Sequence, residues 1–247
     1  MYLTIQGIVL RVTDYNDKDA LLTMLTRRHG RLTVKARGLR RKNSPLIAPC
    51  QLLAYGEFTL FEYRGQYTIN EAQSIELFTP LRRDLTKLSL GTYFAQVSEV
   101  LSQEDMPNPE LQSLLLNCLY ALSRLGLSES QVKAVFELRA ACLSGYTPDL
   151  TGCHVCGNQT PERFDLSAGM LECRNCRSPE SNGIRMPVPP SVLEAMRYIC
   201  YCDSKKLFSF QAGEDTLQQL SEVTEAYLAT QLERGFSTLD FYKSLLI

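Results

Sequence analysis

The chain has 247 residues, of which 45% are hydrophobic and 21% charged, and its formal net charge is -1. This composition belongs to a folded protein and excludes wholesale disorder. No run approaches the roughly 20 apolar residues of a membrane helix, and the amino terminus alternates and soon turns charged, unlike an export signal.

Residues 1 to about 75 carry apolar residues at every second position in short runs, the pattern of strands. The expected strands are Thr4 to Val12, Ala20 to Thr26, Arg31 to Arg37, Leu52 to Glu62 and Gln66 to Ala72. They are broken at Asp14 to Asp19, at His29-Gly30 and at Arg64-Gly65. Five strands in so short a stretch predict a small barrel, either an OB-fold or an SH3-like barrel. After Pro80 the period changes to about 3.6. Leu111, Leu114, Leu115, Cys118, Leu119 and Leu122 form one helical stripe, and Val132, Val135, Phe136, Arg139, Ala140 and Leu143 form another. Helices are expected near 82–103, 109–125, 129–144, 190–202 and 215–233. Between them, Gly145 to Pro190 is rich in Gly, Pro, Asn and Cys and too polar to build a core of its own. The chain contains no internal repeat.

Something other than apolar burial must order that segment, and it holds two CxxC pairs, Cys153/Cys156 and Cys173/Cys176. Two such turns facing each other supply the four thiolates of a closed structural zinc site, with no position left for an activated water. One zinc per chain, serving folding, is therefore expected. A redox CxxC leaves the second pair unexplained. His154, between two ligands, is expected to point outward. The other cysteines (Cys50, Cys118, Cys142, Cys200 and Cys202) read as buried or partly buried thiols, and nine cysteines without an export signal lead to the expectation of a cytoplasmic location. With only His29 and His154 present, with no phosphate-binding GxxxxGK[ST] loop and with no GxGxxG after a strand, catalysis has no candidate centre. No enzyme activity is expected.

The overall charge conceals an asymmetry. Residues 1 to 50 hold ten Lys and Arg against three Asp, a net of +7, which leaves -8 for the other 197 residues. From Arg27 to Lys42 there are eight basic residues and no acidic one. Strand alternation sends Leu32, Val34 and Ala36 to the core and Arg31, Lys35 and Arg37 outward, and the charge continues into a loop as Arg40, Arg41 and Lys42. A charge run is most often a solvated face; on a small barrel these six suit a phosphate backbone. Phe61, Tyr63 and Tyr67 are candidates for base stacking, with core packing as the alternative for each. Arg174 and Arg177, among the cysteines, are a second candidate cationic site.

In order along the chain, GIVLRVTDYNDKDALLTMLTRRHGRLTVKARGLRRKNSPL, ELRAACLSGYTPDLTGCHVCG and YLATQLERGFSTLDFYKSLL resemble the barrel entry, the helix leading to the first cysteine pair, and the closing helix of the RecO family of recombination mediators. The resemblance implies an α+β protein. An OB-fold over 1–79 is followed by a helical domain over 80–247, with a zinc module inserted at about 150–180. It implies binding of single- and double-stranded DNA, annealing of complementary strands and help in loading RecA onto strands covered by single-strand-binding protein. The implied partners are RecR and the acidic carboxyl-terminal tail of single-strand-binding protein, with no membrane and a location at the nucleoid. Some relatives lack the cysteine ligands, whereas all four are present here. The residues alone leave another class open, a zinc-ribbon RNA-binding or ribosome-associated module. Competition between RNA and DNA separates the two, because RNA recognition depends on the 2'-hydroxyl.

Overall fold

In the computed structural model, the residues described are 1–176 and 183–246; Arg177 lies outside them. Five strands, β1 (Tyr2–Asp14), β2 (Ala20–Thr26), β3 (Gly30–Ala36), β4 (Tyr55–Tyr63) and β5 (Gln66–Glu76), close into a barrel in the order β1-β2-β3-β5-β4, with β4 pairing back onto β1. The one parallel seam, between β3 and β5, is only two residue pairs long: Val34 with Tyr67 and Lys35 with Thr68. This is the five-stranded OB-type barrel. Alternation builds it, for Leu32, Val34 and Ala36 join Ile5, Val9, Leu22, Met24, Phe58, Leu60 and Ile69 in the interior. Residues 37–54 form a chain of turns that adds Leu39, Leu46 and Cys50 to that interior.

Two departures from simple alternation position the rest. Strand β1 changes partner: residues Tyr2–Ile8 pair with β4, and from Gly7 onward the strand pairs with β2, with a bulge between Val9 and Arg11 that bends it. Strand β2 is buried on both faces, since Thr23 and Leu25 are covered as well as Leu22 and Met24. Helices α1 (Leu85–Leu101) and α2 (Pro109–Tyr120) belong to the same compact unit, and the Gln112 side chain donates to the Leu25 carbonyl at 3.0 Å. The α2 stripe of Leu111, Leu114, Leu115, Cys118 and Leu119 is fully covered, and the helix ends in a π turn at Ala121–Leu125. Asp84 and Asn108 cap the two helices by accepting the Lys87 and Leu111 backbone N–H groups.

The first compact unit comprises residues 1–125 and 236–247, and the second comprises 126–235. The first therefore runs past residue 79 and includes the closing helix α6 (Ser237–Ser244), whose leading Phe236 ring lies 5.5 Å from Tyr93 of α1. In the second, α3 (Glu129–Leu143), α4 (Pro190–Tyr201) and α5 (Glu214–Gln231) flank a small sheet of β6 (Asp149–Cys153), β7 (Arg163–Asp165), β8 (Met170–Glu172) and β9 (Arg185–Pro187) in the order β6-β8-β7-β9. Helix α3 is buried from Gln131 to Leu138, including Lys133 and Glu137. The Lys133 ammonium reaches Glu137 at 3.0 Å, Glu225 at 2.8 Å and both oxygens of Ser221 at 3.2 Å. The Thr224 hydroxyl donates to Glu137 at 2.8 Å. Burial raises the Glu137 carboxyl above the usual carboxylate range, against the pull of Lys133. No described helix is long and apolar enough to cross a membrane.

Candidate nucleic-acid interface and metal centre

Two turns meet at one end of the β2–β3 ribbon, and together they arrange the basic run. Asp19, at the end of the β1–β2 turn, accepts the Gly38 backbone N–H at 2.8 Å and the Asn16 amide at 3.1 Å, and lies 3.4 Å from the Lys35 ammonium. The Gly38 and Asn16 donors, with a smaller contribution from Lys35, hold its carboxyl below the usual range, with burial opposing. The Arg40 backbone N–H donates to the Lys18 carbonyl at 3.1 Å, and its guanidinium meets Asp14 at 3.1 Å. Arg31, at the far end of β3, donates from its guanidinium to the Glu99 carbonyl at 2.9 Å, satisfying an orphan acceptor in the last turn of α1. The six candidate cations thus divide. Arg31, Lys35 and Arg40 are held by neighbours, whereas Arg37, Arg41 and Lys42 are exposed and have no side-chain ion pair or hydrogen bond among the described residues.

The aromatic candidates also separate. Phe61 is 41% exposed and its ring packs 5.4 Å from Tyr2 on the β1–β4 surface; Tyr63, 59% exposed, carries the Arg64 guanidinium 5.2 Å over its ring. Tyr67 is half-buried against the barrel core. The pattern of the sequence passes over Tyr15, which is exposed in the β1–β2 turn with the Lys35 ammonium 4.4 Å above its ring. Tyr67 stands one strand over on β5, opposite Val34, with its neighbour Thr68 opposite Lys35. In an OB-type barrel the β2–β3 face and the turns after β1 and β4 are where a single strand lies; Tyr15 is on the first of those turns and Tyr63 ends β4 just before the second. An aromatic residue in a turn between two strands, next to Asn and Asp, was the available signal for Tyr15.

In the second unit the four cysteines converge. Cys153 ends β6, Cys156 is in the turn after it, and Cys173 and Cys176 follow β8; the sulfurs all lie within 4.8 Å of one another. A tetrahedral zinc with Zn–S bonds of about 2.3 Å requires sulfurs about 3.8 Å apart. The Cys156 and Cys173 sulfurs are at 3.7 Å. Donors are aimed at two of the sulfurs: the Cys173 backbone N–H donates to the Cys153 sulfur at 3.4 Å and the Asn158 amide to the Cys173 sulfur at 3.2 Å, although at Cys173 the Asn158 bond is outweighed by burial and the neighbouring thiols, which leave it raised. Burial raises the Cys153 thiol, but the backbone N–H groups of Cys156, Cys173 and Val155 outweigh it and bring it down to about 6. Cys176 is pushed up to about 12, first by its bond to Cys156 and then by burial. Sulfurs this close share protons unless a cation replaces them, so the residues fit a metal ion. His154 is outside the group; its Nδ1 is 3.1 Å from the Leu171 carbonyl.

The module is fastened to helices of its own unit. Arg197 of α4 donates to the Leu150 and Gln159 carbonyls at 2.9 and 3.1 Å, and Gln231 of α5 to the Leu166 carbonyl at 2.8 Å. Within the sheet, Arg185 is clamped by Glu172 at 2.6 Å and Asp165 at 3.6 Å, both carboxylates being buried. Arg174 is exposed.

Comparison with known proteins bears on both features. Residues 1–78 match the family model described as "Recombination protein O N terminal" and residues 82–240 match "Recombination protein O C terminal". The chain belongs to the RecO family. The "DNA repair protein RecO" of Acetivibrio thermocellus is 32% identical over 99% of this chain and 97% of its own length. The RecO proteins of Alkaliphilus metalliredigens and Bacillus subtilis, also named DNA repair proteins, are each 29% identical, covering 99% and 90% of this chain and 100% and 86% of their own lengths. The OB-type barrel and the helical region with its cysteine cluster therefore occur here in the order of the two RecO models.

Proposed function

We propose that this chain acts in DNA repair as a recombination mediator in a bacterial cytoplasm, at the nucleoid. It binds single- and double-stranded DNA, anneals complementary strands and helps RecA replace single-strand-binding protein, without turnover of a small molecule. The observation that carries the reading is the loop of uncommitted cations, Arg37, Arg41 and Lys42, on the rim of a barrel that also presents Tyr15 and Tyr63. These cations meet phosphates, Lys35 and Arg40 support them while tied to Asp19 and Asp14, and Arg31 fixes the base of β3. The exposed rings offer faces to unpaired bases. Compensating the phosphate charge reduces the repulsion between two strands, which is what annealing requires.

Cys153, Cys156, Cys173 and Cys176 hold one structural zinc, and when bound the ion neutralises the thiolates and ties the two turns together. Proposed partners are RecR and the acidic tail of single-strand-binding protein. An apolar cleft of about 250 Å³ between α1 and α6, lined by Leu85, Leu88, Thr92, Thr238 and Phe241, suits the apolar end of such a tail. Arg83, exposed just before α1, is the proposed partner of its carboxylates. Isothermal titration with the tail peptide is expected to give heat that Phe241→Ala removes; no heat at high micromolar concentration overturns the tail assignment.

The salt dependence of single-strand binding tests the central reading. Three phosphate contacts give a slope of log affinity against log salt near -2, taking about 0.7 per contact. Replacing Arg37, Arg41 and Lys42 together with Ala flattens the slope and leaves folding and metal content unchanged, because a loop is altered and no core is removed. An unchanged slope in that variant refutes the loop as the DNA site.

A further inference from the structure

Arg27 and Arg28, which open the basic run, take no part in the loop just described. They occupy the turn joining β2 to β3, beyond the Thr26–Gly30 pair, whereas Arg37, Arg41 and Lys42 follow the Ala20–Ala36 pair at the other end of the ribbon. Six steps of about 3.4 Å set those ends about 20 Å apart. Both arginines are exposed, and neither has a side-chain ion pair or hydrogen bond among the described residues.

The turn is held in place. The Thr26 hydroxyl donates to the Gly30 carbonyl at 2.9 Å and accepts the His29 backbone N–H at 3.0 Å, while Gly30 and Arg31 both bridge to Glu104. It overhangs a cleft of about 640 Å³, lined by Arg27, Arg28 and His29 on one side and by Thr4, Gln6 and Glu57 on the other. The cleft follows from the partner change in β1, which pairs only with β4 up to Gln6 and pairs with β2 from Gly7 onward. Its volume suits a ligand of nucleotide size. The guanidinium wall matches phosphate, and the Glu57 carboxylate, an acceptor, matches the amino and imino donors on a base edge, while the Gln6 side-chain oxygen already accepts the Tyr55 hydroxyl at 3.1 Å.

A single strand laid along the ribbon would cross cations already committed to other partners before it reached the second end. On the intervening face, Arg11 donates to the Glu99 carboxylate at 2.9 and 3.2 Å and to Thr23 at 3.3 Å, and Arg31 is turned to the Glu99 carbonyl. The ground between the two cationic ends is therefore covered or committed: Thr23 is buried, and Arg11 and Arg31 are held at Glu99, so neither is left for phosphate.

We infer that the Arg27–Arg28 cleft is a second nucleic-acid site, which takes a short stretch of single strand while another strand is held at Arg37, Arg41 and Lys42. The inference rests on the DNA-binding reading above. One chain then presents two charge-compensated strands about 20 Å apart, a distance set by the ribbon between them.

Titrating the metal-loaded, full-length protein with a short, non-self-complementary oligodeoxynucleotide, followed by native mass spectrometry, counts strands per chain. The parent should take two, and Arg27→Ala/Arg28→Ala should take one and anneal complementary strands about tenfold more slowly. The Arg37→Ala/Arg41→Ala/Lys42→Ala variant should also take one. A parent that takes only one strand per chain overturns the second site, as does an Arg27/Arg28 variant that still takes two or anneals at the parental rate. If the loop variant keeps two strands while the Arg27/Arg28 variant loses one, the loop reading fails and the cleft stands. Both variants change exposed side chains only, and metal content with far-ultraviolet circular dichroism checks that each is folded.

Discussion

In the barrel, alternate side chains of β2, β3 and β4 meet in an interior made of Leu22, Met24, Val34, Phe58 and Leu60. In the second unit, two of the places where distant segments meet are polar instead: four sulfurs at the tips of two turns, and a lysine among carboxylates between α3 and α5. Apolar burial is spread over many atoms, so losing one is felt in proportion to its area. The polar centres concentrate stability in a few atoms whose partners become costly once left alone. Damage should therefore be graded in the first unit and abrupt in the second.

The largest effect is expected from Cys173→Ser. Structural zinc sites contribute on the order of 10 kcal/mol to the folded state of their modules at neutral pH. The variant should lose most of its metal and the cooperative melting of the second unit, while the barrel keeps its strand signal. Metal analysis with circular dichroism checks this, and retention of a full equivalent of metal with unchanged melting refutes the site. Lys133→Met comes next. It leaves Glu137 buried without its cation and should cost about 3–5 kcal/mol in denaturant unfolding, whereas Lys133→Met/Glu137→Leu should recover much of that loss. Equal losses in the single and double variants would show that side-chain volume is what matters.

Gly30→Ala brings an effect of the same kind into the first unit. Gly30 has φ +62°, and a Cβ there would sit 2.4 Å from the Met106 carbonyl oxygen and 2.5 Å from that of Gln103. Backbone strain alone costs about 1–3 kcal/mol, and the approach of backbone atoms adds to it. The denaturation midpoint should fall with metal content unchanged; a parental midpoint means that the Gln103–Met106 segment yields. The smallest effect belongs to Asp19. A carboxyl held below its unfolded value of about 3.9 adds stability that is present above that pH and drains away as the pH falls through the lower folded value. The Gly38 amide resonance, which reports the bond to Asp19, should titrate with a midpoint below about 3.9, and Asp19→Asn should abolish the transition.

The same contrast governs what the sequence discloses. Ala20–Thr26 is expected and found as a strand with identical ends, because apolar alternation is a local property. The Leu111-to-Leu122 stripe and the start of α3 at Glu129, one residue after the Ser128 cap, are legible for the same reason. Strands β7 to β9 are three residues each, set in a polar segment, and carry no period to detect. The two CxxC pairs are legible because their spacing is itself the signal. The basic run contains no acid along the chain, yet Asp14 and Asp19 fold back onto Arg40 and Lys35 across a turn. Linear charge counting cannot register that. Lys133 and Glu137, four apart, look like an ordinary surface pair until α5 covers them.

The return of the chain to α1 through Phe236 and Thr238, whose hydroxyl lies 2.5 Å from the Gln96 side-chain oxygen, has a consequence for biosynthesis. A ribosome delivers these residues only after it has made all 110 residues of 126–235. At about 5–20 residues per second, that interval is roughly 5–20 s. Throughout it the second unit is free to fold, while the flank of α1 around Tyr93 has nothing to cover it. The nascent first unit therefore waits on Phe236 and the helix after it, and a chain cut short just before Phe236 would leave the ribosome with that apolar flank open.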